Sequence, residues 1–166
     1  LINRINSDLV NDLGNLCQRS LAMIEKRLDS TIPQITNKGN EEIFLDKSCE
    51  ELLMKGSNLV NEFKIHDYIR LVWEYIGKVN KYFNDNKPWE LEKNDNDKFL
   101  NVLAVTVDQI KNIAIFIHPI MPDVSIKILQ IMGISESKLL FKNMRAINLY
   151  GNKLSRVNHL FNRVQS

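Results

Sequence analysis

The sequence predicts an all-α fold, an antiparallel bundle of four long helices with short helices between them and an irregular C-terminal tail. Three observations carry this expectation. Apolar residues recur at helical spacing, most clearly Tyr68, Val72, Tyr75, Ile76, Val79 and Phe83. A later stretch, about Asp97 to His118, is apolar around most of its circumference, which marks a central helix. No run shows the strict alternation of a half-buried strand. The 166 residues, 44% hydrophobic and 25% charged, suit one domain with a sizeable core.

The first helix is expected from about Asn3 to Leu28. At ~100° per residue, Ile5, Leu9, Leu13, Leu16, Ser20 and Met23 fall on one stripe. Asp8, Asn11, Asp12, Asn15, Arg19 and Lys26 fall on the opposite one. Asp29, Ser30 and Pro33 are expected to end it, because proline cannot continue the hydrogen-bond ladder. Residues 30–40 read as a polar loop. A second helix, roughly Glu41 to Glu62, has a sparse apolar pattern (Ile43, Leu52, Leu53, Leu59, Val60, with Phe63 just beyond) and belongs at the bundle's edge.

The third helix is expected from about Asp67 to Asn84, with Trp73 and Asn80 off the edge of its stripe. Pro88 ends it and opens a short helix, Trp89 to Lys93. Asn94 to Asp97 form a turn and a helix start. In the fourth long helix, Thr106, Asp108, Gln109, Lys111 and Asn112 argue against a membrane span. His118 to Pro122 breaks it, and Asp123 to Met132 forms a short amphipathic helix closed by Gly133. Residues 1–133 thus read as the bundle, and residues 134–166, without a clear period, as a tail packing on it within the same domain.

Composition narrows the function. A net charge of +2 gives no broad basic field, so any nucleic-acid contact has to be local. The two cysteines, Cys17 and Cys49, are far apart and lack metal-ligand spacing, so reduced thiols and a cytoplasmic setting are expected. His66, His118 and His159 are scattered, and no metal site is expected. No Gly-rich phosphate loop, G-x-S-x-G, H-E-x-x-H or C-x-x-C motif occurs, so no catalytic residue is assigned. The opening residues do not read as a signal peptide. The chain opens inside a helical pattern, as a piece of a longer protein would.

Two features remain for function. Asn15 and Arg19, four residues apart on one helical face, pair an amide with a guanidinium. Taken alone they are ordinary surface residues, although Asn11, Gly14 and Asn15 are poor helix formers at mid-helix. Trp89, directly after Pro88, stands at a corner. It is either a core plug or a platform for a splayed-out base.

The motifs then point to a family. Arg4-Ile5-Asn6-Ser7-Asp8-Leu9-Val10-Asn11-Asp12-Leu13-Gly14-Asn15-Leu16, with Arg19 after it, resembles the first helix of the C-terminal anticodon-binding domain of methionyl-tRNA synthetases, which are class I synthetases. The stretch from Trp73 to Trp89 resembles that family's helix ending in Asn-x-Tyr and Pro-Trp. His118-Pro119-Ile120-Met121-Pro122, with Ile128, Leu129 and Gly133, is similar to its Pro-x-Met-Pro turn and following helix. Leu160-Phe161-Asn162-Arg163 is similar to a terminal Leu-Phe-Pro-Arg, with Asn162 in the place of proline.

The resemblance implies that Asn15, Arg19, Pro88 and Trp89 meet the CAU anticodon of methionine tRNA. Asn15 and Arg19 would bond base edges, chiefly the cytosine. Trp89 would stack, and Pro88 would fix its corner. It also implies a partner N-terminal catalytic domain, which uses ATP to attach methionine to tRNA and holds any zinc. No cofactor is expected in this chain, and no activity by itself. Competing expectations are the equivalent domain of a leucine, isoleucine, valine or cysteine enzyme, a helical interaction module with a large exposed apolar patch, and a metal-core bundle enzyme.

Overall fold

The computed structural model describes residues 2–135 and 141–156, with side chains from Ser7 onward. Its helices are α1 (Ile2–Arg27), α2 (Asn40–Asn61), α3 (Ile65–Asn86), α4 (Pro88–Asn94), α5 (Asn96–Ile117) and α6 (Pro122–Ile131), followed by a 3-10 turn, Phe141–Ala146. Asp12 meets Trp73 and Arg19 meets Asn84, so α1 and α3 run parallel. Tyr68 meets Phe116 and Tyr75 meets Gln109, so α5 runs against α3. The long helices therefore alternate in direction, as the sequence predicts.

α5 is the axis. Phe99, Leu103, Val107, Ile110, Ala114 and Ile117 are all buried, and Asn101, Thr106, Gln109, Lys111 and Asn112 are buried with them. It has the length and mean hydropathy of a membrane span, 22 residues at 1.4, and 89% of its most apolar window lies inside the fold. Each buried polar side chain has work to do. The Asn101 Oδ1 accepts the Thr36 N–H at 2.8 Å and the Asn37 N–H at 3.1 Å, pinning the α1–α2 loop. The Thr106 hydroxyl donates back to the Val102 carbonyl at 2.8 Å. Lys111, 1% exposed, donates to Asp108 at 2.8 Å and to the Ile147 carbonyl at 3.2 Å.

α2 lies at the edge, but its predicted stripe is out of register. Ile43 is 42% exposed, and Phe63 lies past the helix end, 86% exposed. The buried face is Leu45, Ser48, Cys49, Leu52 and Gly56. Three of these are too small to register as apolar in a periodicity reading. They let the backbone of α2 come close to α3. A Cβ on Gly56 would stand 2.9 Å from the Tyr68 ring.

The ends of the helices follow local chemistry. α1 is stopped by Asp29 and Ser30, both at positive φ (51° and 60°), before Pro33 is reached. α6 ends as predicted at Gly133, φ 77°, with Gly133 N–H on the Gln130 carbonyl and Ile134 N–H on the Leu129 carbonyl. Within the C-terminal stretch, the described residues 141–156 carry local structure that the sequence pattern does not show. It contains the 3-10 turn, and Lys153 bridges Thr31 antiparallel. Met144, Leu149 and Leu154 join the core. A six-residue 3-10 turn and a single bridge leave no 3.6- or 2-residue period to read. The segment Leu160 to Arg163 lies outside the described residues, as do His159 and the side chain of Asn6.

Candidate nucleic-acid interface

The corner between α3 and α4 is built on one residue. Lys87 caps the end of α3 and the start of α4, with φ 46° and ψ 63°. Its carbonyl accepts the N–H of Glu90 at 2.9 Å and of Leu91 at 3.2 Å, starting α4 at once. Pro88 occupies the first turn, where its missing N–H costs nothing. Pro88 is buried and Trp89 is 41% exposed. Trp89 therefore packs its inner edge against Phe83, ring centroids 6.3 Å apart at 64°, and turns the rest outward.

Arg19 reaches this corner from α1. Its guanidinium carbon lies 5.0 Å from the Phe83 ring centroid and 5.2 Å from that of Trp89. Its Nη1 donates to Asn84 Oδ1 at 2.7 Å. Arg19 makes no ion pair among the described residues, so its charge at this corner is balanced by rings and an amide alone. Arg19 is exposed, yet α1 carries it into contact with α3 and α4. An ion pair from Arg27 to Glu92, 2.9 Å, fastens α1 to α4 at the same end.

Of the sequence-predicted residues, the structure brings Arg19 and Trp89 together and places Pro88 beneath them. Asn15 is exposed one turn earlier on the same face of α1. Asp12, also on that face, is a strut: it accepts the Trp73 indole N–H at 2.9 Å. Sequence reading missed Phe83 as part of the corner and missed Asn84 altogether. Phe83 was assigned to the core stripe, where it also belongs, being 1% exposed. Asn84 carries no signal beyond being an asparagine near a helix end.

His118 stands at the end of α5 with a buried Nδ1 that has no hydrogen-bond partner among the described residues. Both cysteines are free and buried. Burial pushes the Cys17 thiol well above its ordinary range and raises Cys49 as well. Among the described residues no three His, Cys, Asp or Glu side chains gather as metal ligands would.

Residues 32–166 match the family model for the anticodon binding domain of methionyl tRNA ligase. The chain belongs to this family.

Curated relatives agree along more of the chain. The methionine–tRNA ligase of Mycobacterium tuberculosis (strain H37Rv) is 34% identical over 137 residues, which is 80% of this chain and 26% of that protein. That of Caldanaerobacter subterraneus is 30% identical over 167 residues, 99% of this chain and 26% of that protein. The free-state crystal structure of M. tuberculosis methionyl-tRNA synthetase superposes with a TM-score of 0.90 at 32% identity, covering 99% of this chain and 34% of that one. The chain spans about a quarter of the length of these curated relatives. The family match begins after α1, so it takes in Pro88 and Trp89. Asn15 and Arg19 are covered by the full-length alignments instead.

Proposed function

We propose that this methionyl-tRNA ligase domain reads the CAU anticodon of methionine tRNA at the Arg19–Trp89 corner, as one part of a longer methionine–tRNA ligase. The observation that carries this reading is Arg19 itself, unpaired with any carboxylate among the described residues and set against two aromatic rings. Single-stranded RNA loops are recognised by stacking on aromatic faces and by hydrogen bonds to base edges. Trp89 offers an exposed ring held by Pro88 and Phe83. Arg19 spends one bond on Asn84 and keeps donors for acceptor atoms. A cytosine edge presents two acceptors, O2 and N3, and one amino donor, N4. Arg19 suits the acceptors, and the Asn15 carbonyl oxygen suits the amino group.

The rest of the ligase reaction, activation of methionine with ATP and its transfer to tRNA, falls to a catalytic domain outside this chain. That domain is the expected partner, alongside the tRNA. The cytoplasm, with its reducing conditions, is the compartment that suits two buried free thiols. Family membership favours this reading over a leucine, isoleucine, valine or cysteine enzyme and over an interaction module.

The test is a tryptophan-fluorescence titration with two RNA hairpins, one carrying CAU and one with the cytosine replaced. Quenching should favour CAU and vanish in Trp89→Phe, which leaves Trp73 as the sole emitter. Equal quenching by both hairpins would refute cytosine reading at this corner.

A further inference from the structure

The turn between α2 and α3 holds an aromatic residue that the bundle does not use. α2 ends in a Schellman arrangement. The Phe63 N–H donates to the Val60 carbonyl at 3.1 Å, and the Lys64 N–H to the Leu59 carbonyl at 2.8 Å. Phe63 takes the left-handed position of this motif, φ 59°, where glycine is the usual residue because a Cβ crowds the following carbonyl. Three other described non-glycine residues have positive φ. Asp29 and Ser30 have short polar side chains, and Lys87 serves two helices at once. Phe63 has no such reason, and packing does not supply one. It is 86% exposed and belongs neither to the core nor to the apolar side chains packed against it.

Its surroundings and its place add to this. The flanking Glu62 and Lys64 pair with each other at 3.0 Å, so the ring stands in a polar rim whose charges are already matched. An aromatic anchor inside a polar rim is how interfaces are built. Phe63 precedes the first residue of α3, ~30 Å along that helix from Asn84. It therefore marks the end of the bundle opposite the Arg19–Trp89 corner. Tyr68 meets Phe116, so the turn after α5, with Ile120 and Met121 half-buried, lies at this same end.

We propose that Phe63 anchors this chain to the catalytic domain of the longer ligase, with its ring seated in an apolar pocket of that domain. The inference rests on the reading above, that the chain is one part of such a ligase. Two arguments select this partner. A tRNA carries its anticodon and its amino-acid end at opposite extremities. A domain that acts on the amino-acid end therefore lies beyond the bundle end that faces away from the anticodon corner. The second argument is area. One aromatic ring buries at most about 250 Å², far below the ~1,200 Å² of a stable interface between separate chains. A domain on the same polypeptide needs no such area, because the tether supplies a high effective concentration. A second copy of this chain lacks the tether. An RNA backbone would find Lys64 already spent on Glu62.

The direct test is hydroxyl-radical footprinting of the unmutated ring, read by mass spectrometry on the peptide Gly56–Lys64 without RNA. Phe63 should oxidise quickly in this chain and about tenfold more slowly in the whole ligase. Equal oxidation would overturn the proposal. Protection in this chain that grows with its concentration would assign the ring to a second copy and overturn it as well. Phe63→Gly supplies the functional arm. It removes the ring and suits the left-handed backbone, so this chain should melt at or above the parent temperature. It should bind the CAU hairpin as the parent does. In the whole ligase the same change should slow tRNA charging at limiting tRNA about tenfold, the scale of one interface anchor, and leave methionine activation intact. Phe63→Leu should retain most of the charging rate. Unchanged charging in Phe63→Gly would overturn the proposal. The hairpin titration does not involve Phe63 and the footprint does not involve RNA, so failure of anticodon reading and failure of docking are separate results.

Discussion

Two polar clusters in this molecule are built from the same kinds of group and come to opposite ends. Between α2, α3 and α5, Tyr75 donates its hydroxyl proton to Gln109 Oε1. The Gln109 amide donates to Asp46 at 3.0 Å, and Asn112 stands 3.5 Å from the Tyr75 hydroxyl. Nearly every donor there is used, and Tyr75, Gln109 and Asn112 are buried. At the corner of α1, α3 and α4, Arg19 uses one donor on Asn84, and the rest of the assembly faces outward. A closed network fixes the register of helices. An open one leaves donors for something that is not part of the protein. Whether a polar cluster holds or binds depends less on residue type than on how much of its hydrogen-bonding capacity the fold consumes.

The sharpest way to separate the two clusters is to delete the middle of the closed one. Gln109→Leu strands the Tyr75 hydroxyl and Asn112 in the core, while Asp46 keeps its ion pair with Lys38, and should cost about 2–4 kcal/mol in a urea titration. CAU hairpin affinity of the folded fraction should not change. A loss below about 1 kcal/mol would mean that the network is dispensable packing.

Alkaline pH probes the same contrast without mutation. Cys17 and Cys49 are raised above the ordinary 9.0 by burial, so the unfolded chain loses these protons first. Their contribution is fully present below pH 9.0 and falls as pH rises toward their folded values, by roughly 1–3 kcal/mol at pH 10 for the pair. The urea midpoint should be flat to about pH 9 and then drop. Thiols that react with Ellman's reagent in the native protein at pH 8 would contradict the burial.

At the open cluster, Arg19→Ala should reduce discrimination between CAU and its cytosine-replaced hairpin by about 1–3 kcal/mol. Unfolding should move by less than about 1 kcal/mol, because the side chain is exposed. An equal loss for both hairpins would turn Arg19 into a phosphate contact. Asn84→Ala is the gentlest case. Freeing the guanidinium from its hydrogen bond to the Asn84 side chain should cost about 0.5–1.5 kcal/mol of CAU affinity. No change would show that the rings alone hold Arg19 in place.

How much of this was legible in the sequence depends on the scale of the signal. Helices with a strong stripe, α3 and α5, were readable because burial there is carried by large apolar side chains at regular spacing. The buried face of α2 was not, because Ser48, Cys49 and Gly56 work by being small, and smallness has no hydrophobic period. The 3-10 turn and the Thr31–Lys153 bridge are held by contacts distant in sequence. At the corner, Pro88 and Trp89 announced themselves as a dipeptide, and Arg19 entered through its spacing from Asn15. Asn84 and Phe83 could not be foreseen as their partners, since that contact requires α1 to lie parallel to α3 and to bring residues 65 apart within 2.7 Å.

The joint at Lys87 gives the corner a further property. α3 and α4 share that residue, so no slack separates the helix that supplies Phe83 and Asn84 from the one that supplies Trp89. One residue added or removed between Asn86 and Trp89 would swing the indole by ~100° about the axis of α4, away from the guanidinium that lies over it. The corner can drift in composition by substitution, but its length is locked. Among homologous sequences the spacing from Asn84 to Trp89 should outlast the identity of most residues within it.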